Sequence, residues 1–420
     1  MKDKRLPVFA AAAVWLLAAG AEAQDLTITT GRIVDGNGGV IERGTVVVRD
    51  GRIASVGAER PQGAAAGRTI DAGGRTVMPG FIDAHRHLIE GDGAEWLAER
   101  AQGELQQFLE AGFTTVLSAI DAPQILEARD RVASGALRGP RLFAAAFMPL
   151  AAPSGGGGPP QGDPARTDAS RTERPTQPAP AIPRQVTIDA VATAARAGYD
   201  YLKTVIVVSP GGPEVDTLKL VVEEGHKHGL PTITHAVSVQ DTLAAIEARP
   251  ATLVHTPHIG RLEENPDAVQ RIVAARIPMT STLAVFVPHF SADNVPLFRD
   301  GLPFPWNTLS SAGQGPVNAR LLWEAGLVSY GYGTDTSWPP KESLADELRA
   351  LRVTFSPQDV VTIITRDAAS AVLKADELGT LEAGKLADIV IVDGDPLTDS
   401  DALLNVVTTI KGGEVLFERR

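Results

Sequence analysis

The chain has 420 residues, of which 44% are hydrophobic and 21% charged, and these fractions indicate a globular protein rather than a fibrous or wholly disordered one. A formal net charge of −12, without a basic stripe, argues against a nucleic-acid partner. Because the sequence has no cysteine, disulfides and thiolate sites are excluded, and any metal site must use histidine, carboxylate or modified lysine.

The first 23 residues have the pattern of a secretory signal peptide. Its parts are the basic residues Lys2, Lys4 and Arg5, the apolar stretch 8–20 and the cleavage-type tripeptide Ala21-Glu22-Ala23. The apolar stretch is short for a membrane span, so cleavage is favoured over an uncleaved anchor. We therefore predict a secreted protein, expected in the periplasm, that begins at Gln24 and is not attached to a membrane after cleavage.

Short β-strand patterns occupy both ends of the mature chain. The N-terminal part contains LTITTGRIVDG and TVVVRDGRIASVG, in which Asp50-Gly51 favours a hairpin turn. The C-terminal part contains ADIVIVDGDP and VVTTIKGGEVLFE, the second folded at Gly412-Gly413. Two β-rich ends around a long α/β middle predict one small β-sandwich domain, built from residues 24–79 and 376–420.

Between these ends, strand patterns alternate with helix patterns, as in parallel βαβ units. The predicted strands are 80–85, 114–119, 141–147, 201–208, 231–235, 252–255, 278–283 and 328–334. Helix N-caps are indicated at Ser238 and Ser356, each followed three residues later by an aspartate. Eight units predict a (β/α)8 TIM barrel over residues 80–375, whose active site would lie at the C-terminal ends of the strands.

A segment rich in Pro, Gly, Ser, Ala and Thr interrupts this alternation at residues 149–183. Such a composition buries too little apolar surface to order itself well. Because the segment follows the third predicted strand, it is expected on the rim of the active site. Two interpretations stay open, namely a disordered insertion and a mobile cover over the substrate.

The stretch VMPGFIDAHRHLIE, at residues 77–90, ends the first barrel strand in two histidines. Side chains two residues apart on a strand point the same way, so His85 and His87 can reach one metal ion, whereas Arg86 faces the opposite side. A His-x-His pair alone more often occurs without a metal. Here, however, later predicted strands also end in polar residues that can bind metal ions. These residues are Lys203, His235, His255 and Asp335.

With PGFIDAHRH, AGFTTV, GYDYLK and LGTLEAGKLADIVIVDGDP, the chain resembles the amidohydrolase superfamily of metal-dependent hydrolases over almost its whole mature length. It is most similar to the imidazolonepropionase-like branch, which includes Xaa-Pro dipeptidases. Many relatives continue the second strand as TVRD, where this chain has Leu117-Ser118, and many carry a histidine in the loop that corresponds to residues 154–160. These departures concern the substrate side of the pocket rather than the metal ligands.

The resemblance implies two divalent metal ions bound by a defined set of ligands. That set is His85, His87, Lys203, His235, His255 and Asp335. Lys203 would bridge the ions as N6-carboxylysine, formed with carbon dioxide. Zinc is the expected metal, although Mn, Co or Fe would suit the same ligands.

These features predict a hydrolase that cleaves an amide C–N bond of a small molecule, such as an N-acyl amino acid, a dipeptide or an aryl amide. A metal-bridging hydroxide would attack, and Asp335 would act as proton shuttle. His258 is a second candidate catalytic residue, which would hydrogen-bond the substrate or the oxyanion, and His289 is a weaker candidate of the same kind. An esterase or lactonase, a deaminase, an inactive binding barrel and a homo-oligomer stay open.

Three other polar residues are given structural interpretations. His226 and His228 fall in the last turn of a helix predicted at 215–229, where a cation interacts favourably with the helix dipole. Asp83 shares the inward face of the first barrel strand with His85, one layer deeper. It either orients a ligand or fills the barrel.

Overall fold

The structure is a computed structural model that describes residues 25–58, 67–153, 175–285 and 311–419. The predicted signal peptide and His289 lie outside these ranges, as do residues 154–174 of the Pro- and Gly-rich segment. Within the described ranges, no helix has both the length and the apolar character that a membrane crossing requires.

The two ends of the chain form one small β domain, as predicted. Its strands are β1 (Leu26–Val34), β2 (Val40–Arg49), β3 (Arg52–Gly57), β4 (Arg68–Asp71), β5 (Thr76–Pro79), β14 (Ile389–Val392), β15 (Val406–Lys411) and β16 (Glu414–Glu418). Antiparallel pairing of β14 with β5 joins the C-terminal part to the N-terminal part. Side chains such as Ile28, Val46 and Ile389 form an apolar core separate from that of the barrel.

Eight parallel strands form the second sheet, in the order in which they occur along the chain. They are β6 (Phe81–Arg86), β7 (Phe113–Ser118), β8 (Arg141–Phe147), β9 (Tyr201–Val205), β10 (Thr232–His235), β11 (Thr252–Val254), β12 (Met279–Thr280) and β13 (Tyr330–Gly331). The Ala84 N–H donates to the Tyr332 carbonyl at 2.9 Å, which connects the first strand to the end of the last. The predicted TIM barrel is confirmed, although β12 and β13 have only two residues each.

Helices connect these strands and cover the barrel. They are α1 (Gly93–Glu95), α2 (Ala101–Glu110), α3 (Gln124–Ala133), α4 (Arg184–Ala197), α5 (Glu214–Lys227), α6 (Val239–Ala248), α7 (Pro266–Ala274), α8 (Ser311–Glu324), α9 (Pro340–Leu351), α10 (Pro357–Thr362) and α11 (Ala368–Ala371). The Ser238 and Ser356 side chains accept hydrogen bonds from the backbone N–H groups of Asp241 and Asp359, so both predicted N-caps are confirmed. Two π-helical turns lie in the described ranges, Trp96–Arg100 between α1 and α2 and Ile363–Asp367 between α10 and α11.

Apolar residues fill most of the barrel, and a polar layer forms near the C-terminal strand ends. All residues of β6, β7, β10 and β11 are buried. Burial on both faces is typical of parallel sheets that are covered by helices. Buried polar side chains in such surroundings need partners, so the polar layer is where the function of this barrel is expected.

Strand β13 packs closely against α11. A Cβ atom added to Gly331 would lie 2.8 Å from the Ala371 Cβ and 2.9 Å from the Ala368 Cα. We predict that Gly331→Ala lowers the free energy of unfolding by about 1–3 kcal/mol, because the backbone must move to admit the methyl group. Urea denaturation measures this change.

Gly103→Ala provides the matched control. Gly103 lies inside α2, and apart from its chain neighbours and the backbone of its own helix, no described atom comes within 4 Å of an added Cβ. Alanine is the better helix former, so this variant should gain about 0.5–1 kcal/mol of stability. Equal stability of the two variants would contradict the close packing of β13 on α11.

Candidate metal centre

Six polar side chains meet at the C-terminal end of the barrel. They lie on or just after β6, β9, β10, β11 and β13, and they are His85, His87, Lys203, His235, His255 and Asp335. Five of the six are at most 2% exposed, and His87 is the most accessible, with a side chain 13% exposed. These are the six residues that the sequence predicted as ligands.

Asp335 contacts three of the histidines. Its Oδ1 lies 2.8 Å from His85 Nε2 and 3.0 Å from His87 Nε2, and its Oδ2 lies 3.8 Å from His255 Nε2. Oδ2 accepts no hydrogen bond from the residues that the structure describes. Ligand atoms of His85, His255 and Asp335 all lie within 4.8 Å of one another. Imidazole nitrogen and carboxylate oxygen atoms this close together are of the kinds that bind divalent ions.

Lys203 and His235 complete the cluster. The Lys203 Nζ lies 3.3 Å from His85 Nε2. The ring centroids of His235 and His255 are 4.3 Å apart, with the rings nearly perpendicular at 80°. The structure thus brings all six predicted residues into one linked group, while their roles as ligands stay a prediction.

Burial and neighbouring groups shift the pKa values of three residues in this cluster, which are His85, His255 and Asp335. Burial, followed by the charge of Lys203, lowers the pKa of His85 to about 3. Burial also lowers the pKa of His255 well below its usual value. Burial by itself would raise the pKa of Asp335, but electrostatic interaction with the His255 and His85 rings and hydrogen bonds from His85 and His87 outweigh it and hold that pKa well below its usual range. Neutral imidazoles and an ionised carboxylate are the forms that bind metal ions.

Three residues of the site have backbone angles that L-amino acids seldom adopt. The φ angles are 78° at His255, 47° at Thr282 and 54° at Asp335. Such conformations persist where the surrounding contacts fix them, and they are often found at functional sites. At Asp335 one such contact is the backbone N–H, which donates to the His85 carbonyl at 2.8 Å.

Asp83 ties the segments that carry His85 and Asp335 together. It accepts hydrogen bonds from the Thr334 hydroxyl at 2.7 Å, the Thr334 N–H at 3.2 Å and the His85 N–H at 3.2 Å. Burial raises the pKa of Asp83 to about 6. Of the two interpretations, Asp83 therefore positions the segments that carry the candidate ligands His85 and Asp335 rather than merely filling space in the barrel.

Arg86 points away from the cluster, as the strand alternation predicts. Its guanidinium carbon lies 5.1 Å from the centre of the Phe108 ring, on the side of α2. It also donates to the Thr334 hydroxyl at 2.9 Å and to the Trp338 carbonyl. Arg86 therefore supports the segment just before and after Asp335 from outside the barrel.

His258 is held by its own loop and by the segment that follows β10. Its Nδ1 donates to the Thr256 carbonyl at 3.1 Å, and its backbone N–H donates to the Val237 carbonyl at 3.0 Å. These contacts do not assign it a role towards the substrate, which stays a prediction. His226 lies in the last turn of α5 and His228 caps that helix, in agreement with their structural interpretation.

Two residues beside the cluster were missed in the sequence. Thr282 lies just past β12, and its hydroxyl is 2.7 Å from His255 Nδ1. Glu347 is fully buried in α9. Glu347 could have been noticed in the sequence, because it is a charged residue on the same helical face as the apolar residues Leu344, Leu348 and Leu351.

Comparison with known proteins places the chain in a family. The model of the amidohydrolase family matches residues 76–416, so the chain belongs to the amidohydrolase family and is a hydrolase. The imidazolonepropionase of Shouchella clausii (strain KSM-K16) is 26% identical over 413 residues, which cover 90% of this chain and 87% of that protein. The N-acyl-D-glutamate deacylase of Alcaligenes xylosoxydans xylosoxydans is 46% identical over 79 residues, but these cover only 18% of this chain and 16% of that protein.

Solved structures agree with the fold. A Xaa-Pro dipeptidase with bound methionine in its active site has a TM-score of 0.73 at 22% identity, covering 94% of this chain and 100% of that chain. Molinate hydrolase has a TM-score of 0.70 at 23% identity, covering 94% and 95%. At these identities the likeness establishes the architecture, and the substrate has to be argued from the site.

The Thr334 hydroxyl links two buried charges, since it donates to Asp83 and accepts from Arg86. We predict that Thr334→Val lowers the free energy of unfolding by about 1–3 kcal/mol, because both charged groups lose a partner in a buried site. Thr334→Ser keeps the hydroxyl and serves as the control in the same urea titration. A valine variant as stable as the serine variant would show that this bridge contributes little.

Proposed function

We propose that this hydrolase binds two divalent metal ions, with zinc as the expected metal, and cleaves an amide C–N bond of a small molecule. The observation that carries the proposal is the buried contact of the Asp335 carboxylate with the Nε2 atoms of His85 and His87, at 2.8 and 3.0 Å. The lowered pKa values of His85, His255 and Asp335 support it, because neutral imidazoles beside an ionised carboxylate form an attractive site for a cation.

The proposed ligands divide between two positions. His85, His87 and Asp335 would hold the first ion, and His235 and His255 would hold the second. An ammonium at Lys203, 3.3 Å from His85 Nε2, would repel both cations. The proposal therefore includes carboxylation of Lys203: the ammonium first loses a proton, and the neutral amine then adds carbon dioxide and releases a second proton to give N6-carboxylysine. The positive charge would thereby be replaced by an anion that could hold both ions. Metal ions bound there would polarise the acyl oxygen and make a water molecule more acidic.

The surroundings of Asp335 support its proposed role as proton shuttle. Two histidines hold its Oδ1, whereas its Oδ2 accepts no hydrogen bond within the described part of the chain. In the proposed reaction this carboxylate takes a proton from the attacking water and gives it to the leaving nitrogen. The second transfer matters for an amide, because an amine is too basic to leave unprotonated.

The names of the relatives suggest which compounds to test first. A Xaa-Pro dipeptidase and an N-acyl-D-glutamate deacylase are among the similar proteins, so dipeptides and N-acyl amino acids are the first candidates. Aryl amides and lactones complete the screen. Export to the periplasm is also proposed, on the signal pattern of residues 1–23.

The proposal is tested with the purified, zinc-loaded protein against these compound classes. We expect turnover of at least one amide, its loss after chelation, and its recovery when zinc or manganese is added back. Hydrolysis of lactones alone would replace the amide proposal by the lactonase alternative. Amide turnover that survives complete removal of metal would overturn the metal-dependent mechanism.

Asp335→Asn separates the proton-shuttle role from metal binding. The amide side chain keeps one oxygen for the metal but loses the group that accepts a proton. We predict retained zinc and a loss of amide turnover of about 10²–10⁴-fold or more, which is the usual contribution of general acid–base catalysis. An activated aryl ester, if it is a substrate, should lose less because its leaving group departs without a proton.

Metal content of the same Asp335→Asn sample is the control. If zinc is bound and amide turnover is near normal, another residue, of which His258 is the first candidate, moves the proton.

A further inference from the structure

The segment just after β12 contacts the candidate metal centre through one hydroxyl group. The Thr282 hydroxyl donates to the Ser281 carbonyl at 2.8 Å. Its oxygen is therefore left to accept the hydrogen bond from His255 Nδ1, at 2.7 Å. Thr282 is fully buried, so water does not compete for either bond.

The direction of this bond determines the tautomer of His255. Because Nδ1 carries the hydrogen, the lone pair of the neutral ring lies on Nε2. The same Nε2 faces the Asp335 carboxylate, 3.8 Å from its Oδ2. Thr282 thus orients the His255 ring so that its metal-binding nitrogen points into the cluster.

Thr282 can do so only in an unusual backbone conformation. Its φ angle of 47° is left-handed, and such a conformation is unfavourable for a β-branched residue. Other contacts must therefore stabilise this conformation, and hydrogen bonds of the next two peptide groups supply them. The N–H groups of Leu283 and Ala284 donate to the Oε1 and Oε2 atoms of Glu347, at 2.9 and 2.8 Å.

Burial of the Glu347 carboxylate in α9 is energetically unfavourable. It is fully buried within an apolar stripe that also contains Leu344 and Leu348. Burial raises the pKa of Glu347 to about 7, although hydrogen bonds from Ser281 and from the Ala284 and Leu283 N–H groups oppose that rise. A leucine would pack better in this stripe than a buried carboxylate. We attribute the presence of Glu347 to its hydrogen bonds with the Leu283 and Ala284 N–H groups.

We propose that Glu347 is a positioning residue of the metal centre. It fixes the two peptide groups after Thr282, and this keeps the Thr282 hydroxyl within hydrogen-bond distance of His255 Nδ1. His255 Nε2 is thereby directed at the proposed metal position. This inference rests on the proposed metal-dependent function and adds the residues that orient one of its ligands. Partners of this kind typically change metal affinity about 10–100-fold when they are removed.

Zinc affinity, measured by competition with a chromogenic chelator, tests the first link. Thr282→Val has nearly the same shape but cannot accept the bond from His255, so its zinc affinity should fall about 10–100-fold. Thr282→Ser keeps the hydroxyl and should restore the affinity to within a few-fold of the wild type. Wild-type affinity in the valine variant would overturn the proposal, as would an equal loss in the serine variant.

Glu347→Gln tests the second link. Glutamine keeps one acceptor oxygen but places an NH₂ group against the other backbone N–H, so one of the two contacts is lost. Zinc affinity should again fall about 10–100-fold. Leu348→Ala is the matched control, since it weakens the packing of the same helix without removing these hydrogen bonds. Its zinc affinity should equal that of the wild type.

The double variant Thr282→Val/Glu347→Gln shows whether the two residues act through one path. If Glu347 acts through Thr282, the double variant should bind zinc no more weakly than the weaker single variant. If the losses of zinc affinity in the two single variants instead multiply in the double variant, Glu347 does not act through Thr282. If Glu347→Gln does not fold, the Thr282 valine and serine variants still decide the link to His255. A wild-type protein that binds no zinc would instead overturn the metal-dependent function and this inference with it.

Discussion

The contact of the Asp335 carboxylate with His85 and His87 depends on closure of the barrel. His85 and His87 belong to the end of the first strand, and Asp335 follows the last, 248 residues after His87. The backbone bonds that connect these strand ends, including the one from Asp335 N–H to the His85 carbonyl, bring the three side chains within hydrogen-bond distance. Any change that opens the barrel at this seam therefore also separates the candidate metal ligands.

Burial of the polar layer destabilises the fold, and hydrogen bonds from neighbouring residues offset part of this destabilisation. Buried imidazoles, a buried lysine and buried carboxylates lose their hydration, while strained backbone at His255, Thr282 and Asp335 adds to the cost. Asp83 and Glu347 satisfy backbone N–H groups around these residues, each from one side of the site. A metal ion bound only by the folded state would contribute further stability through mass action.

Much of the fold, and the grouping of the six candidate ligands, could be predicted because their signals are local. Alternating strands and helices, and polar residues at strand ends such as His85 and His255, are visible within a few residues of sequence. Glu347 and Thr282 were missed because their roles depend on contacts between residues far apart, since Glu347 binds a backbone N–H 64 positions earlier. The strand predicted at 278–283 ends early, because the left-handed backbone at Thr282 cannot continue an extended ladder.

The most direct test of the proposed metal centre is anomalous diffraction at the zinc edge from crystals of the zinc-loaded protein. Two peaks about 3.5–4 Å apart are predicted. One should lie about 2.0–2.2 Å from ligand atoms of His85, His87 and Asp335, and the other at that distance from His235 and His255. Electron density for a carboxylate group on Lys203 Nζ should bridge them. Zinc bound elsewhere in the crystal, with no peak beside Asp335, would contradict the account.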